Sequence, residues 1–378
     1  MIFKKKIMFI SGTRADYGKI KPLMSIIDKS KSFILSIVVT GMHLSKIHGE
    51  TILQIKNDFP KSEIFKFKNK NKTMDLVLSD TIYKLSKIIK KNSPHLIVAH
   101  GDRVEALASA IVGYLNNVLV CHIEGGEISG TVDDSMRHAT SKLSHIHFVS
   151  NSKAKNILSQ LGEIKKNIYV IGSPEVDTML NNKLPNIKEV KKKYNIDFKK
   201  YCIVCFHPDV YEKKVNLKKY IEKIIKSLLN SKKKYVVIYP NNDQNYQIIL
   251  EAYKKIKKNT NFKFIPSMRF EYYLSLLKNS DCIIGNSSSG VREAPVYKVK
   301  TINIGNRQRQ RTSNPLIINY NLKTIPNNVD KVIDKKLFYN KKFSDLFGDG
   351  SSNKKFQKVI SSKSFWKIEK DKLFKTMI

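Results

Sequence analysis

Short, continuously apolar runs alternate along the chain with longer amphipathic segments. IMFI (7–10), FILSIVVT (33–40), HLIVAH (95–100), NVLVCHI (117–123), IHFVS (146–150) and IYVIG (168–172) are rich in β-branched residues. Continuous rather than alternating apolarity marks strands covered on both faces, as in a parallel sheet. Between them lie helical patterns such as KIKPLMSIIDKS (19–30) and EALASAIVGYLNN (105–117). Repeated strand–helix alternation predicts a doubly wound α/β domain over residues 1–173. Residues 174–198, PEVDTMLNNKLPNIKEVKKKYNIDF, are polar and carry no strong strand, and the domain linker is placed there. A second series follows over 199–355: YCIVCFH (201–207), KYVVIYP (234–240), FKFIP (262–266), CIIGN (282–286) and TINIG (301–305). The last stretch, 356–378, reads as a helical tail without a strand partner. The fold class is therefore α/β with two Rossmann-like domains, and a cleft between the two halves is expected. Ligands in such sheets bind outside the carboxyl ends of the strands.

Length and composition refine this picture. A chain of 378 residues, 41% hydrophobic and 27% charged, holds two domains with ordinary cores. No stretch approaches the roughly 20 apolar residues that span a bilayer. The opening MIFKKKIMFISGTRADYG mimics a signal peptide, but its apolar run is short and Arg14 and Asp16 follow at once. A first buried strand, a cytoplasmic protein and no membrane partner are expected. The net charge of +37 raises the possibility of nucleic-acid binding. Lysine outnumbers arginine heavily, and no aromatic ladder or arginine-rich tract accompanies it, so a solvated lysine surface is preferred and no nucleic-acid partner is expected. Cys202 and Cys205 form a C-x-x-C, but no second pair completes a zinc site, so no metal is expected. With Cys121 and Cys282 they sit in apolar runs and read as core residues.

The chemistry gathers at strand ends. SGTRADYGK (11–19) leads into a helix, and Arg14 and Lys19 could meet a phosphate. In HGDR (100–103), Asp102 is either a cap for the helix starting near Val104 or a reactive carboxylate. Glu124 lies one helix and one strand further on, so neighbouring parallel strands bring the two carboxylates to one edge. Asp133 and Asp134 begin a helix that also carries Arg137, His138 and Lys142. Gly125, Gly126 and Gly130 make a loop that could fold these acids back over the cleft. Crowded carboxylates separate in proton affinity, which is a route to one acid and one base. GNSSSGVREAP (285–295) offers backbone N–H groups at a helix start, a diphosphate cradle built around Ser287, Ser288 and Ser289, with Glu293 one turn on for ribose hydroxyls. A plain serine-capped helix is the other reading of that motif. His207, in FHP, sits at a strand's carboxyl edge.

Four segments, GTRADYGK, HGDRVEAL, HIEGGEISGTVDDSMRHATSKLSHIH and GNSSSGVREAP, together resemble the hydrolysing UDP-N-acetylglucosamine 2-epimerases, over about Gly12 to Arg311. These include the bacterial sialic-acid pathway enzymes and the epimerase part of the bifunctional human enzyme. The acidic segment is also similar to the branch acting on diacetylated bacillosamine nucleotides in legionaminic acid synthesis. The resemblance implies a glycosyltransferase-B-type fold, a UDP-sugar substrate and no redox cofactor. It implies anti elimination of UDP to a 2-acetamidoglucal, then hydration to N-acetylmannosamine. It places catalytic carboxylates at Asp102, Glu124 and Asp133, and nucleotide contacts at Arg14, Arg103, His207, Asn241, Ser287, Ser288, Glu293 and Arg307. His207 would also assist departure of the diphosphate. Lys19, Arg137 and Ser289 are counted among the substrate-binding residues. Which carboxylate is base and which is acid stays open; Glu124 is taken as the acceptor of the C2 proton. A homo-oligomer, dimer or tetramer, is expected from the family. The rival readings are the same chemistry on UDP- or GDP-linked diacetylbacillosamine, a non-hydrolysing epimerase, a glycosyltransferase of the same fold, and a basic nucleic-acid binder.

Overall fold

The apolar runs fold as parallel strands in a computed structural model of the chain, which describes residues 4–46, 49–69, 73–130, 132–181, 184–209, 213–308, 310–311, 314–337 and 347–372. In the first half these are β1 (Lys5–Ser11), β2 (Phe33–Val39), β3 (Glu63–Lys66), β4 (Leu96–His100), β5 (Leu119–Ile123), β6 (Ile146–Val149) and β7 (Ile168–Val170). They form one parallel sheet in the order β3-β2-β1-β4-β5-β6-β7. Alternate residues feed opposite faces. Ile7 and Phe9 of β1 enter one core with Tyr17, Ile20 and Leu23, whereas Met8 and Ile10 enter the other with Ile97, Ala106 and Val120. Both faces are covered, which is why the runs carry no polar alternation.

The second half repeats the plan with β8 (Cys202–Cys205), β9 (Tyr235–Ile238), β10 (Phe262–Ile265), β11 (Cys282–Gly285), β12 (Lys300–Ile304) and β13 (Ile317–Tyr320), in the order β10-β9-β8-β11-β12-β13. Cys202, Val204, Cys282 and Ile284 line one core, and Ile203, Cys205 and Ile283 the other. All four cysteines are free and buried. Two strands were not expected from the pattern, β3 and β13. Both are four-residue edge strands, EIFK and IINY, in which polar residues interrupt the apolar ones. No helix among the described residues is long and apolar enough to cross a membrane.

The chain divides into two compact units, residues 1–127, 133–182 and 346–378 in the first, residues 128–132 and 183–345 in the second. The segment expected as a linker is instead two helices. Pro174–Asn181 belongs to the first unit and Ile187–Tyr194 to the second. The expected end of the second domain at 355 also moves, because the chain rejoins the first unit at 346. The expected tail is therefore not a separate segment. Its helix Ser352–Ile360 and the turn Phe365–Lys367 put Phe356, Ile360 and Phe365 into the first core, with Phe356 4.9 Å from Phe148 between ring centroids. Residues 373–378 lie outside the described residues.

Asp177 fastens this return. It is 2% exposed, and its carboxylate accepts from Ser352 N (2.9 Å), Ser352 Oγ (2.8 Å) and Asn353 N (2.7 Å). It thus satisfies the open N–H groups at the start of the returning helix. Close by, Gly348 (φ +116°) passes so near Gly172 that a Cβ on it would lie 2.8 Å from the Gly172 Cα. Asp177→Ala is expected to cost about 1–3 kcal/mol through the buried donors it orphans. A urea midpoint equal to that of the unaltered chain would show that the return does not depend on Asp177.

Candidate active site

In open parallel sheets the binding crevice forms where the strand order reverses. In the first unit the order reverses between β1 and β4, and in the second between β8 and β11. The motifs after β1, β4, β8 and β11 sit at these two places, and the acidic segment follows β5, next to β4. A small cavity beside the first is lined by Ile10, Gly12, Asp16, Ala99, His100, Arg103, Glu105 and Ala106. A Cβ on Gly12 would lie 2.5 Å from the buried Glu105 carboxylate, so a larger residue there would have to displace that side chain.

After β1, Thr13 caps the helix Arg14–Lys29 by accepting from Asp16 N. This aims Asp16 at β4, where its Oδ1 lies 2.5 Å from His100 Nδ1. Lys19, one turn on, is 8% exposed. Its ammonium stands 3.7 Å from Glu124 and 3.8 Å from Glu175 rather than on an open surface. Arg14 is half-buried at the helix start.

Glu124 follows β5 at φ +67°, in the left-handed region, and is 6% exposed. For a residue other than glycine this is an uncommon backbone state, of the kind held at sites where a side chain must be aimed. Its Oε1 lies 3.4 Å from His100 Nε2. Burial opposes a charge on His100, but Glu124 and Asp16 outweigh it and raise its pKa to about 10. His122 beside it is different. Burial pushes it down to about 3, and its Nε2 donates to the Gly101 carbonyl at 2.7 Å, so it is a neutral structural residue.

Asp102 does not cap the next helix. The cap position of Val104–Leu115 is Arg103, whose Nε lies 3.4 Å from Glu105. The Asp102 carboxylate instead pairs closely with Arg137 of the helix Val132–Leu143. Arg137, expected among the substrate contacts, has no exposed side chain. It also donates to Asp134 (3.0 Å) and to the Glu127 carbonyl (3.0 Å), so it stands behind the carboxylates as their counter-charge. Burial opposes its charge, and Asp102, Glu127, Glu124 and Asp134 raise its pKa regardless. Asp133 is half-buried in the first turn of the same helix. The first unit thus brings Asp102, Glu124 and Asp133 to adjoining strand and helix ends. The glycines between them answer to packing. A Cβ on Gly126 would meet the Ala154 carbonyl at 2.1 Å, and one on Gly130, within the second unit, the Asn306 carbonyl at 2.2 Å.

In the second unit His207 and Asn286 end β8 and β11 side by side. His207 N donates to Asn286 Oδ1 (2.7 Å), and Asn286 Nδ2 donates back to the His207 carbonyl (2.8 Å). Asn241 N donates to His207 Nδ1 at 3.2 Å. A neutral ring therefore carries its proton on Nε2, 3.5 Å from Cys205 Sγ. Gly285 (φ +139°) allows this approach, because a Cβ there would lie 2.0 Å from the Cys205 carbonyl. Ser288 holds the cap position of the helix Ser289–Val296 without a side-chain cap bond, so the motif is not a plain serine cap. Ser287 Oγ accepts from Ser289 N (3.3 Å), and Ser289 Oγ meets Tyr273 Oη at 2.6 Å. Glu293 is 2% exposed within that helix, and Arg307 is half-buried beyond β12.

Sequence reasoning missed Asp16, His100, Glu105, Glu175 and Asn286. Asp16, His100, Glu105 and Asn286 lie inside segments already singled out, and only their neighbours were chosen. Glu175 lay in the segment taken for a linker.

Comparison with known proteins agrees with this architecture. A family model described as UDP-N-acetylglucosamine 2-epimerase matches residues 25–361. A UDP-N-acetylglucosamine 2-epimerase of Neisseria meningitidis serogroup B is 40% identical over 375 residues, 98% of each chain. A UDP-N,N'-diacetylbacillosamine 2-epimerase (hydrolyzing) of Legionella pneumophila is 31% identical over 95% of this chain and 96% of its own. The crystal structure of Methanocaldococcus jannaschii UDP-GlcNAc 2-epimerase, in complex with UDP-GlcNAc and UDP, superposes with a TM-score of 0.78 at 22% identity, covering 94% of this chain and 99% of that one. The two doubly wound units, seven- and six-stranded, are of glycosyltransferase-B type. On this fold and these matches, the chain is an enzyme of the UDP-N-acetylglucosamine 2-epimerase family.

Proposed function

We propose that the protein is a hydrolysing 2-epimerase that converts UDP-N-acetylglucosamine and water to N-acetylmannosamine and UDP, for nonulosonic (sialic) acid synthesis in the cytoplasm. The observation that carries this reading is the set Asp102, Glu124 and Asp133 at adjoining strand and helix ends of the first unit. The C2 proton is only weakly acidic, so its removal needs a positioned base and a stabilised leaving group. Glu124, standing among cations, is available as the carboxylate that accepts the proton. The C1–O bond then breaks and UDP leaves with its electron pair. Water, giving up a proton to a carboxylate of the site, adds hydroxide at C1 of the resulting 2-acetamidoglucal, and an acid, Asp102 or Asp133, delivers a proton to the opposite face of C2. The second unit would hold the nucleotide. The N–H groups at the start of Ser289–Val296, with Ser287, Ser288, Asn241 and Arg307, would receive the diphosphate. Glu293 would take the ribose, and His207, through Nε2–H, would meet the departing phosphate. Arg14 and Arg103 would add positive charge, and the working form would be a homo-oligomer.

A second reading keeps the chemistry and changes the sugar to diacetylbacillosamine. The Legionella relative, named for that substrate, favours it. One assay tests both. Protein in deuterated water is incubated separately with UDP-N-acetylglucosamine and UDP-diacetylbacillosamine, and products are followed by NMR. Free 2-epimerised sugar with deuterium at C2, together with UDP, is expected, and the faster substrate assigns the pathway. Epimerised sugar still linked to UDP would overturn hydrolysis.

A further inference from the structure

Both ring nitrogens of His100 face carboxylate oxygens. Nδ1 lies 2.5 Å from Asp16 Oδ1, and Nε2 lies 3.4 Å from Glu124 Oε1. Ionised carboxylates only accept, so Nδ1 donates to Asp16; Nε2 meets Glu124 at ion-pair distance rather than in a formed hydrogen bond, and a ring set between two carboxylates favours the imidazolium. The bonds behind it fix the same polarity. Ser11 Oγ donates to Asp16 Oδ2 at 2.6 Å, closer than its other acceptor, the Thr13 carbonyl at 3.3 Å. Its lone pair must then accept from His43 Nε2–H at 3.0 Å, which leaves His43 Nδ1 to accept from the Thr51 hydroxyl. His43 is kept neutral, since burial pushes it down to about 4. The whole chain, Thr51 to His43 to Ser11 to Asp16, therefore points its hydrogens at Asp16 and leaves Asp16 as an acceptor for His100.

We propose that His100, oriented by Asp16, is the positioning residue of the acid–base site, a buried cation that fixes the Glu124 carboxylate in place and in its ionised form. The helix Arg14–Lys29 contributes Asp16 against His100 and Lys19 against Glu124. The helix Pro174–Asn181 contributes Glu175, which shares Lys19. Arg103 and Glu105 pair with each other beside the same cavity. His122 is neutral, and Arg137 faces Glu124 from the helix Val132–Leu143. Lys19 and His100 both approach the same oxygen of Glu124, Oε1. The positioning role rests on the reading of Glu124 as an acid–base group; the charge on His100 does not.

The test separates the two. Full-length protein labelled with ¹⁵N has nine histidines, and the His100→Gln variant identifies the His100 ring signals by their loss. At pH 8 both ring nitrogens of His100 are expected at imidazolium shifts. In Asp16→Asn, which keeps the side-chain volume, that proton is lost at lower pH. With UDP-N-acetylglucosamine as substrate, the alkaline limb of kcat in Asp16→Asn should move down by about one pH unit or more, with KM little changed. The sign follows because the active form is the protonated one, and removing an anion weakens its hold on the proton. A neutral His100 at pH 8 in the unaltered protein overturns the proposal, as does an unmoved alkaline limb in a folded Asp16→Asn. An imidazolium without turnover of any UDP-sugar removes the positioning role together with the epimerase reading, and leaves only the charged pair.

Discussion

Replacing Arg137 by methionine is expected to destabilise the first unit by about 3 kcal/mol. The side chain is entirely enclosed and holds Asp102, Asp134 and the Glu127 carbonyl. Methionine fills a similar volume but supplies no donor. Removing one partner of a buried ion pair leaves the other charge uncompensated, which typically costs about 3–5 kcal/mol. The lower end applies here, because the Asp102 and Asp134 side chains keep 22% and 23% exposure and can recover some hydration. The shift is read from the denaturant midpoint at constant slope. Adding Asp102→Asn should recover part of the loss, since an amide tolerates the apolar neighbour that a carboxylate does not. Additive losses in the double variant would mean that the two residues do not act as a pair.

What the chain discloses in advance depends on how far apart the cooperating residues lie. The strands Lys5–Ser11, Leu96–His100 and Leu119–Ile123 are legible because burial on both faces leaves an unbroken apolar run. The carboxyl ends of the latter two, one helix and one strand apart, point to the carboxylates at Asp102 and Glu124. The edge strands Glu63–Lys66 and Ile317–Tyr320 escaped notice because one side of each is open and their residues are mixed. The return of Ser352–Ile360 to the first core was not legible either. It depends on Asp177 meeting Ser352 across 175 residues of sequence, and a helix of that length has the same pattern wherever it docks. The same limit applies at the site. Lys19 and Arg137 carry the charges expected of phosphate ligands, and sequence assigns them to that task. Their burial against Glu124, Glu175, Asp102 and Asp134 is a property of three-dimensional neighbours. Sequence alone does not single out His100, because a lone histidine in an apolar strand is usually structural, and His122 on the adjacent strand is of that kind.

Glu124→Gln is expected to lower kcat by roughly 10²–10⁴-fold, the range typical of removing a general base or acid, while affinity for UDP stays close to that of the unaltered protein. The substitution isolates the charge. Glutamine has the same shape and the same cost at φ +67°, so the backbone state that aims the side chain is not altered. The change falls on what surrounds the carboxylate, since Lys19 at 3.7 Å and His100 at 3.4 Å lose the anion they share. His100 then keeps only Asp16, and its ring proton should be lost at lower pH than before. The nucleotide contacts are proposed on the other unit, at His207, Asn241 and Ser287 to Ser289. Titration with UDP, followed by calorimetry, and incorporation of deuterium at C2 are therefore expected to part company, with binding kept and exchange lost. If UDP binding disappears with turnover, Glu124 serves to build the site, and the proton acceptor must be sought at Asp102 or Asp133.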